Sequence, residues 1–336
     1  MSIIKNLREK IGSKSAKIET SLKNNIDQEL AVPPKKQPIK KVVFIIIAVI
    51  VSIFALSELV FGVMIYGLKV ENKATKLAVK IIPLPAAYTS SGVITMADFY
   101  HEKDYINHFY SSTKQDSGVD QKELSKQILN QLEENKIINN EAIKLKIKIN
   151  KQETDDAVNK ILEANGGQEK VEQTLNELYG LSLEQFKELV NTQLIRDKIN
   201  NEAIEKVTIR HILIRVDQDA AEDKVNEAKA KIDGILTEIK GGLSFEDAAK
   251  KYSEDVGSNE QGGLLDPFSR SEMVKEFEDV AFSQPLMEVS EPFRTSFGYH
   301  ILVVEKKTGY IHSSFDQWLS DLKNKSIILN FYQPKK

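Results

Sequence analysis

One long apolar run constrains this chain more than any other feature. It covers residues 42–68, VVFIIIAVIVSIFALSELVFGVMIYGL. As a helix it would extend about 40 Å at 1.5 Å per residue, more than the roughly 30 Å hydrocarbon core of a bilayer requires. A secretory signal peptide is the alternative, but its apolar stretch would be only about 7–15 residues long and would precede a small-residue cleavage site. The run therefore predicts a transmembrane helix in contact with membrane lipid.

Basic residues flank this run unequally. Four lysines precede it closely, at positions 35, 36, 40 and 41, whereas Lys69 and the lysines after it alternate with Glu71. Because positive residues tend to stay on the cytoplasmic side, we expect a single-pass protein of the cell membrane with its N-terminus inside. Residues 1–41 are polar and are expected to form a cytoplasmic tail, and the larger C-terminal part is expected outside the cytoplasm.

Glu58 lies inside the apolar run and has two interpretations. A carboxylate in the middle of a bilayer is costly and often marks a functional site. Alternatively, the helix begins early in an overlong span, and Glu58 lies near the outer interface. The position of Glu58 in the outer third of the run favours the second interpretation.

The composition excludes several classes of function. The 336-residue chain has no cysteine, which excludes a disulfide framework, a thiolate metal site, a cysteine nucleophile and a lipidated N-terminal cysteine. The net charge of −3 gives no general attraction to nucleic acid. Five histidines leave few candidates for proton transfer or metal binding. We expect neither a metal nor a nucleic-acid partner.

The region after the apolar run has a helical pattern. Residues 69–87 are expected to be a linker, and residues 88–205 an all-α domain. Thr95 is expected to cap a first helix, and Ser182 with Gln185 has the form of a capping box that opens a long one. Apolar residues at a spacing of 3.6 continue the pattern between these caps. An ordinary helical bundle accounts for all of it, and the periodicity alone shows no site.

The pattern changes at residue 206. Residues 207–215 alternate like a strand and place His211 on an apolar face, and a second strand at 298–305 places His300 in the same way. Amphipathic helices and a short extended piece lie between them. The order strand–helix–helix–helix–strand–strand indicates an α+β domain of about one hundred residues.

Eight segments of this domain occur in an unbroken and specific order. They are RHIL at 210–213, FEDAAKKYSED at 245–255, QGG at 261–263, FSR at 268–270, MVKEF at 273–277, EDVAF at 278–282, VSEP at 289–292 and FGYHIL at 297–302. Together they resemble the parvulin (PpiC, rotamase) family of peptidyl-prolyl cis/trans isomerases. The resemblance covers residues 206–307 and implies a four-stranded sheet with surrounding helices. The helical region is similar to the N-terminal chaperone module of SurA-type and PrsA-type foldases, and the single span is similar to membrane-tethered PpiD-type members.

The resemblance also implies the site residues. It maps a polar catalytic cluster onto His211, Asp255, Thr295 and His300, and it maps an apolar substrate slot onto Leu265, Met273 and Phe277, with Phe268 as its floor. Each residue has a purely structural alternative. The histidines could be hydrogen-bonded core residues, Asp255 could cap a loop, and the slot residues could be ordinary core. Even as a functional pair, the histidines could hold the shape of the site and tune Asp255 without moving protons.

The chemistry implied by the family needs no cofactor. Rotation about a peptide bond crosses a barrier of about 18–20 kcal/mol because resonance makes the C–N bond partly double. No bond breaks, so an apolar slot for the proline ring beside a dry polar patch that favours the twisted amide is sufficient. The expected partners are unfolded or newly translocated polypeptides that contain proline. Two alternatives stay open: a non-catalytic holdase that uses the fold to bind clients, and a membrane tether for one fixed partner.

Three further features qualify the resemblance. The loop after residue 215 is acidic, VDQDAAED, which argues against capture of phosphorylated substrates. Phe297 replaces a small polar residue found in some relatives, which affects the expected rate or specificity. Residues 308–336 lie beyond the match, and by similarity to SurA-type proteins they are expected to pack on the chaperone domain.

Overall fold

The computed structural model describes residues 39–115, 118 and 120–333, so most of the predicted cytoplasmic tail lies outside the described residues. The chain divides into two units, Met1–Met64 and Ile65–Lys336. Helix α1 (Ile39–Gly62) continues into a π-helical turn at Val63–Gly67. Within the described residues, one helical stretch, Ile46–Gly67, is long and apolar enough to cross a membrane by length and composition.

The first part of the second unit is largely helical, as predicted. Its helices are α2 (Lys73–Ile81), α3 (Met96–Ser112), α4 (Gln121–Lys144), α5 (Lys151–Ala164), α6 (Gln168–Thr174) and α7 (Leu183–Glu202). A π-helical turn, Leu175–Tyr179, follows α6. A small antiparallel sheet joins β1 (Pro85–Thr89) and β2 (Gly92–Thr95) to the C-terminal strand β7 (Ile328–Asn330), in the order β2-β1-β7.

The predicted helix starts are confirmed, and the predicted linker, residues 69–87, has secondary structure of its own. Thr95 accepts a hydrogen bond from the backbone of Asp98, and Ser182 forms the reciprocal capping box with Gln185. The segment predicted as a linker contains α2 and the start of β1. It folds because Asn72 caps α2 and because one face of that helix, at Thr75, Ala78 and Val79, is buried.

The second part of this unit is the predicted α+β domain. Its elements are β3 (Lys206–Arg215), α8 (Glu222–Lys240), α9 (Phe245–Tyr252), β4 (Leu264–Ser269), α10 (Lys275–Ser283), β5 (Phe293–Thr295) and β6 (Gly298–Thr308). The four-stranded sheet has the order β4-β3-β6-β5 with antiparallel neighbours. This confirms the predicted fold class. The short extended piece is β4, which lies between the second and third helices of the domain.

The central strands of this sheet are covered on both faces. One face packs against α8 and α9 through Ile212, Ile214 and Ile301. The other packs against α10, through an apolar cluster that includes Ile209, Leu302 and both Phe268 and Phe277. Because side chains alternate along a strand, His211 and His300 emerge on this second face, in register with Leu302 and Leu213 respectively.

The C-terminal segment completes the helical region. Helix α11 (Phe315–Lys325) buries Leu319 in an apolar cluster with residues of α4 and α7, among them Ile137 and Ile199. The Lys323 Nζ donates a hydrogen bond of 2.8 Å to the Glu134 carboxylate. Through these contacts and the pairing of β7 to β1, the C-terminal segment packs against the helical region.

Candidate active site

The backbone around His211 is held by a close approach of two chain segments. The His211 N–H donates to the Gly263 carbonyl at 2.8 Å. Gly263 has φ +77°, and a Cβ atom there would lie only 2.2 Å from the His211 carbonyl oxygen. Only glycine permits this contact and this conformation. The second glycine of the QGG motif therefore brings the start of β4 against the strand that carries His211.

A loop tied to β3 places Asp255 beside His211. Helix α9 ends at Tyr252, and the next residue, Ser253, accepts a hydrogen bond from the Leu213 N–H through its hydroxyl. The Glu254 N–H donates to the Leu213 carbonyl at 2.8 Å. These two bonds fix the loop at its first residues. As a result, the Asp255 Oδ2 atom lies 2.8 Å from the Nε2 atom of His211.

Hydrogen bonds and burial set the charges of this pair. Burial lowers the pKa of His211, although the hydrogen bond to Asp255 opposes this effect. Burial would raise the pKa of Asp255, but hydrogen bonds from Ser258 and His211 hold the pKa below its usual range. The pair is thus a neutral imidazole and a carboxylate. The Nε2–H of His211 donates to Asp255, which leaves Nδ1 as a buried acceptor with no partner among the described residues.

His300 is held by a hydroxyl group. Its Nε2 atom lies 2.8 Å from the Thr295 Oγ1, which also accepts the Phe297 N–H at 3.1 Å. This leaves the Thr295 hydroxyl hydrogen free to donate to His300. Burial, together with the nearby His211, lowers the pKa of His300 to about 3. His300 is therefore neutral at physiological pH, and its Nδ1 is also buried without a partner in the described part of the chain.

Ring contacts join the two hydrogen-bonded pairs. The His211 and His300 rings are nearly parallel, with centroids 5.7 Å apart and an angle of 16°. Phe277 presents its ring at steep angles to both, at 5.5 Å from His211 and 5.4 Å from His300. Phe293 stacks on His300 at 5.4 Å. The structure thus brings together all four residues of the predicted polar cluster and places Phe277 against them.

Three of the four predicted slot residues, Leu265, Phe268 and Phe277, form an apolar surface next to this cluster. Phe268 and Phe277 are buried, with ring centroids 6.2 Å apart, and Leu265 is half-buried against the same cluster. Met273 lies in the turn before α10, two residues ahead of the first helical residue, and is 38% exposed. The two phenylalanines thus form a floor, and Leu265 and Met273 remain accessible to a ligand. That these residues bind substrate stays a prediction.

Two members of the site have no counterpart in the predicted set. Ser258 donates to Asp255 and lies 3.1 Å from His211, and Phe293 covers His300. Phe293 lies two residues before Thr295 on a strand, so the alternation of side chains could have placed it on the same face. Ser258 comes three residues after Asp255 in an irregular loop. Side chains in such a loop have no regular repeat from which their direction could be predicted.

The site differs from a serine-hydrolase triad despite containing Ser258, His211 and Asp255. In such a triad the acid and the serine contact opposite nitrogens of the imidazole, so that the histidine can accept the serine proton. Here Asp255 and Ser258 both contact Nε2 of His211, and Ser258 is buried. In the described part of the chain, no group of three or more histidines and carboxylates is arranged to hold a metal. The geometry instead combines two neutral imidazoles and a carboxylate with an apolar floor.

Comparison with family models identifies the class of protein. Residues 192–308 match the model described as a PPIC-type PPIASE domain, and residues 35–200 match the model described as a SurA-like N-terminal domain. The chain thus contains a parvulin-type peptidyl-prolyl isomerase domain that follows a SurA-like helical region.

Individual relatives indicate the family to which the whole chain belongs. The foldase protein PrsA of Geobacillus kaustophilus is 30% identical over 229 residues, which cover 65% of this chain and 69% of that protein. The chaperone SurA of Chromobacterium violaceum is 44% identical over 104 residues, which cover 31% of this chain but only 23% of that protein. The crystal structure of PrsA from Bacillus anthracis is 24% identical, covers 59% of this chain and 86% of that one, and has a TM-score of 0.28. The match to the Geobacillus protein shows that the chain belongs to the PrsA family of foldases.

Proposed function

We propose that this protein is a membrane-anchored foldase that accelerates cis/trans isomerisation of X-Pro bonds in unfolded or newly translocated polypeptides and also binds those chains as a chaperone. The accessible apolar surface beside a buried cluster of two neutral imidazoles, a hydroxyl and a carboxylate is the observation that carries the catalytic part. Both ingredients of the predicted chemistry thus lie on one face of the sheet.

The geometry suggests how the residues would act. The proline ring would pack against Leu265 and Met273 above the floor formed by Phe277. The imidazole–carboxylate cluster would lie beside the amide as it rotates and loses its resonance. The low pKa of both histidines argues against proton transfer by an imidazolium. His211 and His300 would therefore act mainly by holding Asp255, Thr295 and the slot in a fixed arrangement.

The charge near the site favours substrates without phosphate. The loop between β3 and α8 carries Asp217 and Asp219, and the first turn of α8 adds Glu222 and Asp223. The guanidinium of the preceding Arg215 donates to the Glu254 carbonyl at 2.9 Å. Capture of a phosphate requires cationic donors that converge on it, which this acidic loop opposes. Ordinary proline-containing segments are therefore the proposed substrates.

The apolar helix supports the proposed location. Ile46–Gly67 is long enough to cross a bilayer, and the lysine-rich residues before it favour a cytoplasmic N-terminus. The isomerase domain and the helical region would then lie outside the cytoplasm. Translocated chains emerge there in an unfolded state, which matches the proposed substrate.

A non-catalytic holdase is the second candidate, and one surface favours it. Tyr88 lies directly between Val93 and Leu329 across the strands of the small sheet, and all three side chains are exposed. This apolar row lies outside the isomerase domain and is suited to hold unfolded segments. It fits the main proposal as a chaperone surface, but it would suffice for binding without catalysis.

An isomerisation assay separates these functions. The chain without residues 1–64 should accelerate cis/trans exchange in a proline peptide, and His211→Ala and Met273→Ala should each slow it. Absence of acceleration by the folded wild-type protein would reject catalysis. Suppression of aggregation should be measured in parallel with several unrelated clients. Activity toward many of them supports a foldase, whereas tight binding of one partner alone would favour a tether.

A further inference from the structure

Helix α2 has two faces of different character. Thr75, Ala78 and Val79 are buried in the helical region. On the other side, Leu77 and Ile81 are 62% and 70% exposed. Residues four apart lie above one another on a helix, so these two side chains form one small apolar surface.

The surroundings of this apolar surface are basic. The helix sequence, KATKLAVKI, contains three lysines and no acidic residue. Lys73 and Lys80 are exposed and share the face of Leu77 and Ile81, because offsets of four, seven and eight residues return to one side of a helix. The third lysine, Lys76, instead forms ion pairs with acidic side chains of the same unit. An exposed apolar pair with flanking lysines is typical of a helix that lies on an anionic lipid surface.

The position of α2 in the chain brings it close to the end of the apolar span. Gly67 ends that span, and Lys73 follows six residues later. At the other end of α2, Ile81 precedes Pro85 by four residues. The Pro85 carbonyl accepts a hydrogen bond of 2.7 Å from the hydroxyl of Tyr66, which belongs to the last turn of the span. Four residues reach at most about 14 Å, so both ends of α2 stay near the end of the span.

We propose that α2 lies on the outer membrane surface, with Leu77 and Ile81 at the boundary of headgroups and acyl chains and Lys73 and Lys80 at anionic headgroups. This inference rests on the proposed anchoring of the chain by its apolar helix. A helix of nine residues buries little area, but the span makes its contact with lipid intramolecular. Even a weak affinity then suffices. The contact would hold the helical region against the bilayer.

The natural absence of cysteine permits a direct test on the full chain. Ile81→Cys, labelled with an environment-sensitive fluorophore, is placed in vesicles of phosphatidylcholine with or without phosphatidylglycerol. The matched control is Ile143→Cys, since Ile143 is also a helical isoleucine that is 70% exposed. Lys126 of α4 lines a groove with Gly67, the residue that ends the span. Ile143 lies about 25 Å from Lys126 along the same helix, at 1.5 Å per residue, so a label there should stay away from the lipid.

We expect the label at position 81 to emit at shorter wavelength and to be quenched severalfold more by nitroxide lipids than the label at 143. Lys73→Gln with Lys80→Gln should remove the dependence on phosphatidylglycerol. Equal, water-like emission at both positions in a chain that resists carbonate extraction would overturn the inference and leave the anchor intact. A label at 81 that is shielded from water but not quenched by nitroxide lipids would indicate contact with a second copy or a client, and would also overturn the inference.

Extraction of the chain by carbonate would overturn both the anchor and the contact. Isomerase activity in the same vesicles tests the catalytic proposal separately.

Discussion

The imidazole rings of His211 and His300 lie nearly parallel, with centroids 5.7 Å apart. Both side chains are buried. Because charges interact strongly in a medium of low dielectric, two imidazolium ions at this distance would repel each other. Burial lowers the pKa of each ring, and the proximity of His211 lowers that of His300 further. The folded state therefore favours the neutral form of both histidines.

This coupling predicts a loss of stability in acid. The unfolded chain binds a proton at the ordinary histidine pKa of about 6.5, whereas folded His300 does so only at about 3. Between these values the unfolded state holds more protons, so unfolding becomes easier as the pH falls. As the pH falls below 6.5, each such histidine lowers the free energy of unfolding by up to about 1.4 kcal/mol per pH unit. Above pH 6.5 it has no effect on that free energy.

Urea unfolding of the chain without residues 1–64, measured from pH 7 down to pH 4, checks this expectation. His300→Gln should reduce the slope of the free energy of unfolding against pH. His101→Gln, which replaces an exposed histidine of α3, should leave the slope unchanged. Equal slopes in the wild type and His300→Gln would show that His300 does not titrate as described.

Asp255→Asn tests the role of the carboxylate beside His211. The hydrogen bond and charge of Asp255 raise the pKa of His211 against the larger effect of burial. The variant should therefore move the His211 titration, followed by NMR, to lower pH. We also expect kcat/KM for a proline peptide to fall at least about tenfold, which corresponds to about 1.4 kcal/mol of transition-state stabilisation.

Asp233→Asn is the matched control for this experiment, because Asp233 forms an ion pair with Lys229 on the surface of α8. It should leave both the His211 titration and the rate unchanged. An Asp255→Asn protein with wild-type activity would show that the acid only caps its loop.

Met273→Ala tests the slot with little risk to the fold. Met273 is 38% exposed, so its truncation leaves no buried cavity and should hardly change the melting temperature. If its side chain holds the proline ring, kcat/KM should fall roughly tenfold through lost transition-state binding. Met287→Ala is the control, because Met287 is exposed at the edge of the domain near Val304. Equal rates for the two variants would remove Met273 from the slot.

Local patterns were sufficient to predict most elements of this fold. Thr95 and Ser182 begin helices because their side chains cap the first turn, which depends only on residues three positions away. The strand face of His211 and His300 follows from the alternation of side chains. Alternation alone left each histidine as a possible core residue, and the resemblance to the parvulin family was needed to propose them as a functional pair.

The parts that were not predicted depend on tertiary contacts. Ser258 reaches His211 only because hydrogen bonds to β3 fix its loop. Residues 69–87 suggested a linker because of Pro83 and Pro85, yet these prolines follow α2 and begin β1 without interrupting either element. Asn72 caps α2 through residues close in sequence, but the burial of Thr75, Ala78 and Val79 against neighbouring elements is not visible in the local sequence.

The C-terminal segment should stabilise the helical region from a distance in sequence. Deletion of residues 309–336 removes α11 from the core around Leu319 and removes β7 from the edge of β1. We therefore expect a lower melting temperature for the chain without residues 1–64. Leu319→Ala, at a side chain that is 8% exposed, should cost about 2–5 kcal/mol of unfolding free energy. Ile327→Ala lies in the same segment but at a side chain that is 65% exposed, and it should cost far less. An unchanged melting temperature after the deletion would show that the segment adds nothing to the stability of this unit.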